Sequence, residues 1–200
     1  MIILNVDQQS SEWFSAKAGL PSASNFKKII QINGTPSKTR DIYMQQLAGE
    51  KITGLHEETY QNIAMLKGCT KEIEGRQLYG ILHDIEVQQV GLCYPDEKKL
   101  YGCSPDGLIG EEGMLEIKCP LISTHVGYLL NNVLPSTYFQ QVQGQLFVTG
   151  RKWVDFFSYY PGLKPFIIRE KRNKKFIDSL KIELNLFCEE LAEMVKKIGG

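Results

Sequence analysis

The chain reads as one α/β domain: a central mixed β-sheet flanked by helices, behind a helical N-terminal portion. Three observations predict this. From Ser10 to His83 the sequence falls into helical segments separated by Gly, Pro and Asn. Between Glu86 and Lys118, and again from Trp153 to Arg169, short apolar runs alternate with turn residues, as strands do. The C-terminal segment repeats apolar residues every three or four positions, the period of a helix packed on one side.

Taken in order, Ser10 or Ser11 caps a short helix carrying Glu12, Trp13 and Phe14, which Gly19-Leu20-Pro21 interrupts. Ser22 is the expected N-cap of a second helix reaching about Ile32, ended by Asn33-Gly34. Thr35-Pro36-Ser37 introduces a third, over about 38–49. A long helical stretch follows from Glu58 to His83, with Gly68 as a candidate break and Gly75 as a point of close backbone approach. Glu86–Tyr94 and Leu100–Ser104 are expected strands, parted by the turn Pro95–Lys99. After the Pro105-Asp106-Gly107 bend, Leu108-Ile109 and Met114–Lys118 form a hairpin through Gly110–Gly113. Helices are predicted over 123–131 and 135–148, the second ended by Gly150. Trp153–Tyr160 suits a central strand and Lys164–Arg169 another. Phe176, Leu180, Leu184, Phe187, Leu191, Met194 and Ile198 make one stripe of a last helix, expected to lie on the sheet.

Hydrophobic residues make up 42% of the chain and charged residues 23%, which fits a globular domain and excludes a fibre or a disordered tract. No apolar run is long enough for a bilayer, and the first residues do not read as a secretion signal, so a cytoplasmic location without membrane contact is expected. Five cysteines without a CxxC pair argue against a disulfide framework or a zinc knuckle. The 23 basic and 23 acidic residues cancel, but five basic residues and no acid lie between Trp13 and Arg40, and a second basic cluster spans Arg169–Lys175. Each is either a phosphate contact or a solvated surface.

The chemistry concentrates in Ser104-Pro105-Asp106-Gly107 and Leu115-Glu116-Ile117-Lys118-Cys119-Pro120. Alternation along a strand puts Glu116 and Lys118 on one face, and the hairpin brings Asp106 to the neighbouring strand. Two carboxylates and an ammonium converging this way suit phosphodiester hydrolysis. The carboxylates can hold a hard divalent cation, and the ammonium can orient water or stabilise charge. Glu72, paired at helical spacing with Arg76, is a third carboxylate, with Glu74 and Glu86 as competitors. Gln141 belongs to a run of four glutamines in six positions, which either bind the nucleophile or substrate or form a polar helix face.

Asp106 followed by Glu116-Ile117-Lys118 matches the PD-(D/E)xK nuclease signature, and the wider pattern resembles the phage-type alkaline exonucleases, the lambda exonuclease and YqaJ-like viral recombinase group. Five blocks carry the likeness: Trp13–Ser24, Gly68–Arg76, Gly102–Gly107, Leu115–Pro120 and Tyr138–Leu146. The resemblance implies a restriction-endonuclease-like core and an active site of Glu72, Asp106, Glu116, Lys118 and Gln141, with Arg76 in support. It implies Mg2+, with Mn2+ able to substitute, held by Asp106, Glu116, Glu72 and the Ile117 backbone carbonyl. DNA and its 5′-phosphate would be met by Lys17, Ser22, Ser24, Ser104, Thr124 and His125. Lys17 stands where the family typically has arginine. Thr124 stands where a phosphate-binding arginine is expected, with His125 beside it.

The likeness further implies that residues 1–58 are a helical DNA-end-binding portion and 59–200 the catalytic core of a single nuclease domain. The expected reaction is 5′ to 3′ digestion of linear duplex DNA, leaving 3′ tails for phage recombination in a bacterial host. A single-strand annealing recombinase would be the partner and a homotrimer the assembly. An endonuclease of the same fold and a non-catalytic DNA-binding or phage accessory protein are the alternatives. An iron–sulfur nuclease would need a C-terminal cysteine cluster, and only Cys188 lies there.

Overall fold

A computed structural model describes residues 1–56 and 63–199. The start of the expected Glu58–His83 helix, and the expected 58/59 boundary, lie outside the described residues.

A two-stranded sheet pairs β1 (Ile2–Leu4) with β2 (Leu92–Tyr94), and the main sheet has four strands: β3 (Gly107–Ile109), β4 (Gly113–Lys118), β5 (Trp153–Ser158) and β6 (Phe166–Lys171), in that spatial order. β3 and β4 pair antiparallel, β4 and β5 parallel, and β5 and β6 antiparallel, so the sheet is mixed as predicted. A parallel pair cannot be joined by a tight turn. The crossover from β4 to β5 runs through one α-helix (Ile122–Asn131), a 3-10 turn (Ser136–Tyr138) and a second α-helix (Phe139–Thr149), which ends at Gly150 in the left-handed conformation. In chain order the helices are α1 (Ser11–Lys17), α2 (Arg40–Thr53), α3 (Ile63–His83), α4 (Ile122–Asn131), α5 (Phe139–Thr149) and α6 (Lys174–Lys197).

Helices cover both faces. On one, Tyr79 of α3 joins Ile109, Leu115, Ile117 and Phe157. On the other, Met114 and Val154 share a larger core with Phe26, Leu47, Val142, Leu146, Leu180 and Phe187. That core draws on both the N-terminal segment and the C-terminal helix.

α1 begins at the expected cap, with the Ser10 hydroxyl accepting from the Trp13 amide. α3 runs through Gly68 without a break. Gly75 lies against the sheet: a β-carbon there would be 3.4 Å from both Ile117 and Tyr159. Gly107 is required by a close approach, since a β-carbon would fall 2.2 Å from Val87.

Several expectations are corrected. After Ser22 the chain forms only a 3-10 helix, Ala23–Lys28, and the Ser22 side chain does not cap it. Phe26, Ile29 and Ile30 are fully buried there, and an Ile30–Pro36 bridge turns the chain before a helix to Ile32 can grow. The third helix starts and ends later than expected, as α2. Glu86–Tyr94 contracts to β2 (Leu92–Tyr94) and a Gln88–Leu108 bridge. Leu100–Ser104 is no strand, but is held by single bridges from Gly102 to Ser22 and from Cys103 to Cys93. β1 (Ile2–Leu4), which was not predicted, pairs antiparallel with β2. The α6 stripe is buried from Phe176 to Leu191, but its main neighbours are α2 and α5 rather than the sheet. α5 already occupies that sheet face. Ile198 is exposed.

Among the described residues no helix is long and apolar enough to cross a membrane. Cys93, Cys103, Cys119 and Cys188 are free thiols.

Candidate active site

β4 places the site. All of its residues but Lys118 are buried, because it lies inside the sheet under helices on both faces. Amphipathic alternation at a wet surface therefore does not explain Glu116, which is 1% exposed. Glu116 shares the α5-facing side of β4 with Met114, and Leu115 and Ile117 take the α3 side.

A buried carboxylate must be paired and hydrogen-bonded. Glu116 has three partners. Gln141 Nε2 donates to Oε1 at 2.6 Å, Gln145 Nε2 donates to Oε2 at 2.5 Å, and the Lys118 ammonium pairs with Oε1. Gln141 and Gln145 are one helical turn apart on α5, so both reach the same group. The other two glutamines of the run do structural work. Gln143 accepts from the Asn173 amide at 2.8 Å and donates to the Lys171 carbonyl at 2.9 Å, and Gln140 donates to the Ile30 carbonyl at 3.4 Å. The run is not a solvated polar face: Gln140, Gln143 and Gln145 are buried.

Asp106 sits one residue before β3 and is 9% exposed. Its Oδ2 accepts from the Ile117 amide at 2.6 Å, continuing the edge of β4 where β3 stops. A strand residue's N–H and C=O point to the same edge. The Ile117 carbonyl therefore faces Asp106, whereas the Lys118 carbonyl accepts from Tyr159 on the β5 side at 2.9 Å.

Glu72 approaches from α3. Arg76 Nη2 donates to Glu72 Oε1 at 2.9 Å and Arg76 Nε to the Asp106 carbonyl at 2.8 Å, so one guanidinium ties the helix carboxylate to the Asp106 backbone. Glu72 lies close enough to sense both Glu116 and Lys118. Glu74 instead accepts from Tyr159 Oη at 3.2 Å, and Glu86 is exposed.

The electrostatics follow from this crowding. Burial, then Glu116 and Glu72, push the Asp106 carboxyl well above the usual range. Burial also raises Glu72, with Arg76 partly offsetting it. Burial alone would pull the Lys118 ammonium down, but Glu116 and Asp106 outweigh it and hold Lys118 above its ordinary value. Lys118 is thus a charged donor and not a free base. An excess of buried carboxylate over cation favours a positive guest. The donors Asp106, Glu116 and the Ile117 carbonyl are hard oxygens, which suit a divalent cation such as magnesium. Among the described residues no three His, Cys, Asp or Glu side chains form a complete ligand group.

The sequence-predicted phosphate contacts divide. Lys17 Nζ lies over the Trp13 ring, 3.9 Å from its centroid, and Trp13 Nε1 donates to Ser104 Oγ at 3.0 Å. Lys17, Trp13 and Ser104 thus form a chain leading toward Asp106. Burial pushes the Lys17 amine down to about 8, against an upward pull from Glu50. Ser24 is exposed and Ser22 buried, their hydroxyls 3.1 Å apart. Thr124 is exposed in the first turn of α4. His125 is corrected: its ring is fully buried, with Nδ1 2.8 Å from Ser158 Oγ and Nε2 3.0 Å from the Lys164 carbonyl. With both nitrogens occupied inside the fold, it does not replace the missing arginine. The basic residues of the Arg169–Lys175 cluster are exposed, and Arg169 and Arg172 also pair within the fold. Arg169 forks onto Asp155 at 2.7 and 2.8 Å, and Arg172 donates to the last turn of α5 at the Leu146 carbonyl.

Gln8, which nothing in its sequence context marks, donates to the Pro105 carbonyl at 3.0 Å and to Val90 at 2.8 Å. It props the bend that carries Asp106 from nearly a hundred residues away.

Residues 12–152 match the model of the YqaJ-like viral recombinase domain. The fold is similar to an alkaline exonuclease from Laribacter hongkongensis, with a TM-score of 0.85 and 32% identity over 94% of this chain and 96% of that one. The same similarity holds for that exonuclease in complex with dAMP. A phage related exonuclease from Haemophilus somnus shares the fold at a TM-score of 0.71 and 14% identity, covering 90% of this chain and 96% of that one. An uncharacterized protein of Acanthamoeba polyphaga mimivirus is 25% identical over 75% of this chain, which spans 28% of that relative's length.

Proposed function

We propose that this chain, which belongs to the YqaJ-like viral recombinase domain family, is a magnesium-dependent deoxyribonuclease that hydrolyses linear duplex DNA from its 5′ ends. The observation that carries the reading is the pairing of two buried carboxylates, Asp106 and Glu116, with a charged Lys118 at one end of a central strand. Manganese would substitute for magnesium.

When bound, magnesium supplies neutralisation of the phosphate charge and a more acidic water. Asp106, Glu116 and the Ile117 carbonyl would hold it, with Glu72 completing the acidic rim. Lys118 donates to the attacking water or to a phosphoryl oxygen and stabilises the charge that develops there. Gln141 holds Glu116 Oε1 and keeps that carboxylate from turning away. Arg76 and Gln8 fix the Asp106 backbone, so the bend cannot swing out of register. A relative that is 32% identical takes dAMP, a mononucleotide of the kind stepwise hydrolysis releases, which supports an exonuclease over an endonuclease. Strand-annealing partners, a homotrimeric assembly and a role in phage recombination in a bacterial host's cytoplasm belong to the same proposal.

End-labelled linear duplex DNA and closed circular DNA, each incubated with magnesium, test this reading. Linear DNA should shorten from the 5′ end and leave a 3′ single strand, while the circle stays intact. Cleavage of the circle would replace the exonuclease with an endonuclease. Cleavage of neither would leave a DNA-binding protein.

Lys17 adds a pH dependence. Its amine titrates at about 8, so it is charged below that value and neutral above it. Preference for 5′-phosphorylated over 5′-hydroxyl ends should fall as pH rises past this point. Arginine stays charged throughout and grips phosphate with two donors. Lys17→Arg should therefore hold its end preference across the same range. Rates on paired phosphorylated and hydroxyl duplexes, taken over a pH series, measure both.

A further inference from the structure

We infer that Gln145 is a positioning residue that sets the plane of the Glu116 carboxylate. The inference rests on the metal-dependent nuclease reading above and adds a residue to it. A glutamate's last torsion is broad, so one anchored oxygen leaves the other free to rotate. Gln141 and Lys118 both act on Oε1. Gln145 is the partner of Oε2, at 2.5 Å. Between them the two oxygens are held from different points, and the direction of the remaining lone pairs is fixed.

The orientation of the Gln145 amide supports a role beyond packing. Gln145 is 1% exposed, and its Oε1 is buried without a hydrogen-bond partner. Buried polar atoms are nearly always satisfied. Turning the amide over would face its carbonyl to the Glu116 carboxylate, acceptor against anion, and lose the donor there. A side chain kept only to fill space between α5 and β4 needs neither the donor nor an unpaired carbonyl. Methionine has nearly the same length and would fill the site without them.

Outer partners of metal-holding groups, when removed, typically cost about 10–100-fold in affinity or activity. Gln145→Met should therefore lower kcat by about 10–100-fold and raise the magnesium concentration for half-maximal cleavage in the same range, with KM for DNA nearly unchanged. Manganese titration by calorimetry, without DNA, should show the same weakening independently of turnover. If Gln145→Met fails to fold, Gln145→Leu removes the donor without adding a titratable group and should lose cleavage to the same extent. A purely structural role predicts a lower melting temperature with kcat per folded molecule intact. Retention of wild-type kcat and magnesium dependence by either folded variant overturns the inference and leaves the nuclease reading standing. A wild-type chain that neither cleaves DNA nor binds manganese removes the nuclease reading, and the inference falls with it.

Discussion

Lys118→Met should reduce DNA cleavage about 10³-fold or more, within the span that positioned acid, base and charge-stabilising groups contribute. Lys118 is the cation of the site, sitting against Glu116 and about a quarter exposed. Glu116 and Asp106 keep it charged against the effect of burial. On the proposed reaction its contribution is a fixed positive donor to the scissile phosphate. Methionine keeps much of the length and removes both charge and donors. Lys118→Arg should not recover full activity, because a planar guanidinium cannot place a point charge where the ammonium lies. Duplex binding by both variants, measured in calcium to suppress turnover, should stay within a few-fold of wild type. Cleavage retained in purified, folded Lys118→Met would remove this residue from the chemistry.

Asp106→Asn should abolish cleavage and at the same time make the metal-free protein more stable. The carboxyl is raised by burial, Glu116 and Glu72, so the folded state holds its proton more tightly than the unfolded chain does. The stability linked to this group is present below the ordinary carboxylate range and is lost as pH rises through the raised value. At neutral pH, above the range where the unfolded carboxyl titrates, this raised carboxyl is then a cost to the folded state. Asparagine is neutral at every pH, and its carbonyl can still accept from the Ile117 amide. A gain of about 1 kcal/mol would raise the melting temperature by about 2–4 °C in a chain of this size. Magnesium should raise the melting temperature of the wild type, by binding the folded state, and leave that of Asp106→Asn nearly unchanged. A less stable Asp106→Asn without metal would mean that the aspartate serves the fold before the chemistry.

Much of the site was legible because its side chains come from one hairpin. Strand alternation alone put Glu116 and Lys118 together, and the Gly110–Gly113 turn brought Asp106 beside them. Glu72 could not be separated from Glu74 by spacing, since both are compatible with one helix. The choice depends on how α3 lies over the sheet, which Gly75 helps to set by close packing. His125 was misread because it stands next to the exposed Thr124, whereas a helix turns consecutive residues in different directions. Gln8 and Gln145 were missed as anchors for a different reason. Their partners lie 97 and 29 residues away, and no local pattern encodes such contacts. The fold shows a similar division. The strands of the main sheet and the long helices follow from apolar runs and periodicity, whereas the order of the strands comes from the structure. β1 and the bridges at Gly102 and Cys103 are single or three-residue pairings, stabilised by what they meet in space.

The most direct test is release of acid-soluble nucleotides from a 5′-phosphorylated linear duplex by wild type and Asp106→Asn, side by side, with magnesium and with chelator. Only the wild type with magnesium should release nucleotides, and restoring magnesium after chelation should recover the rate. Equal release by both proteins, or release by the wild type under chelation, would contradict a metal-dependent site built on Asp106, Glu116 and Lys118.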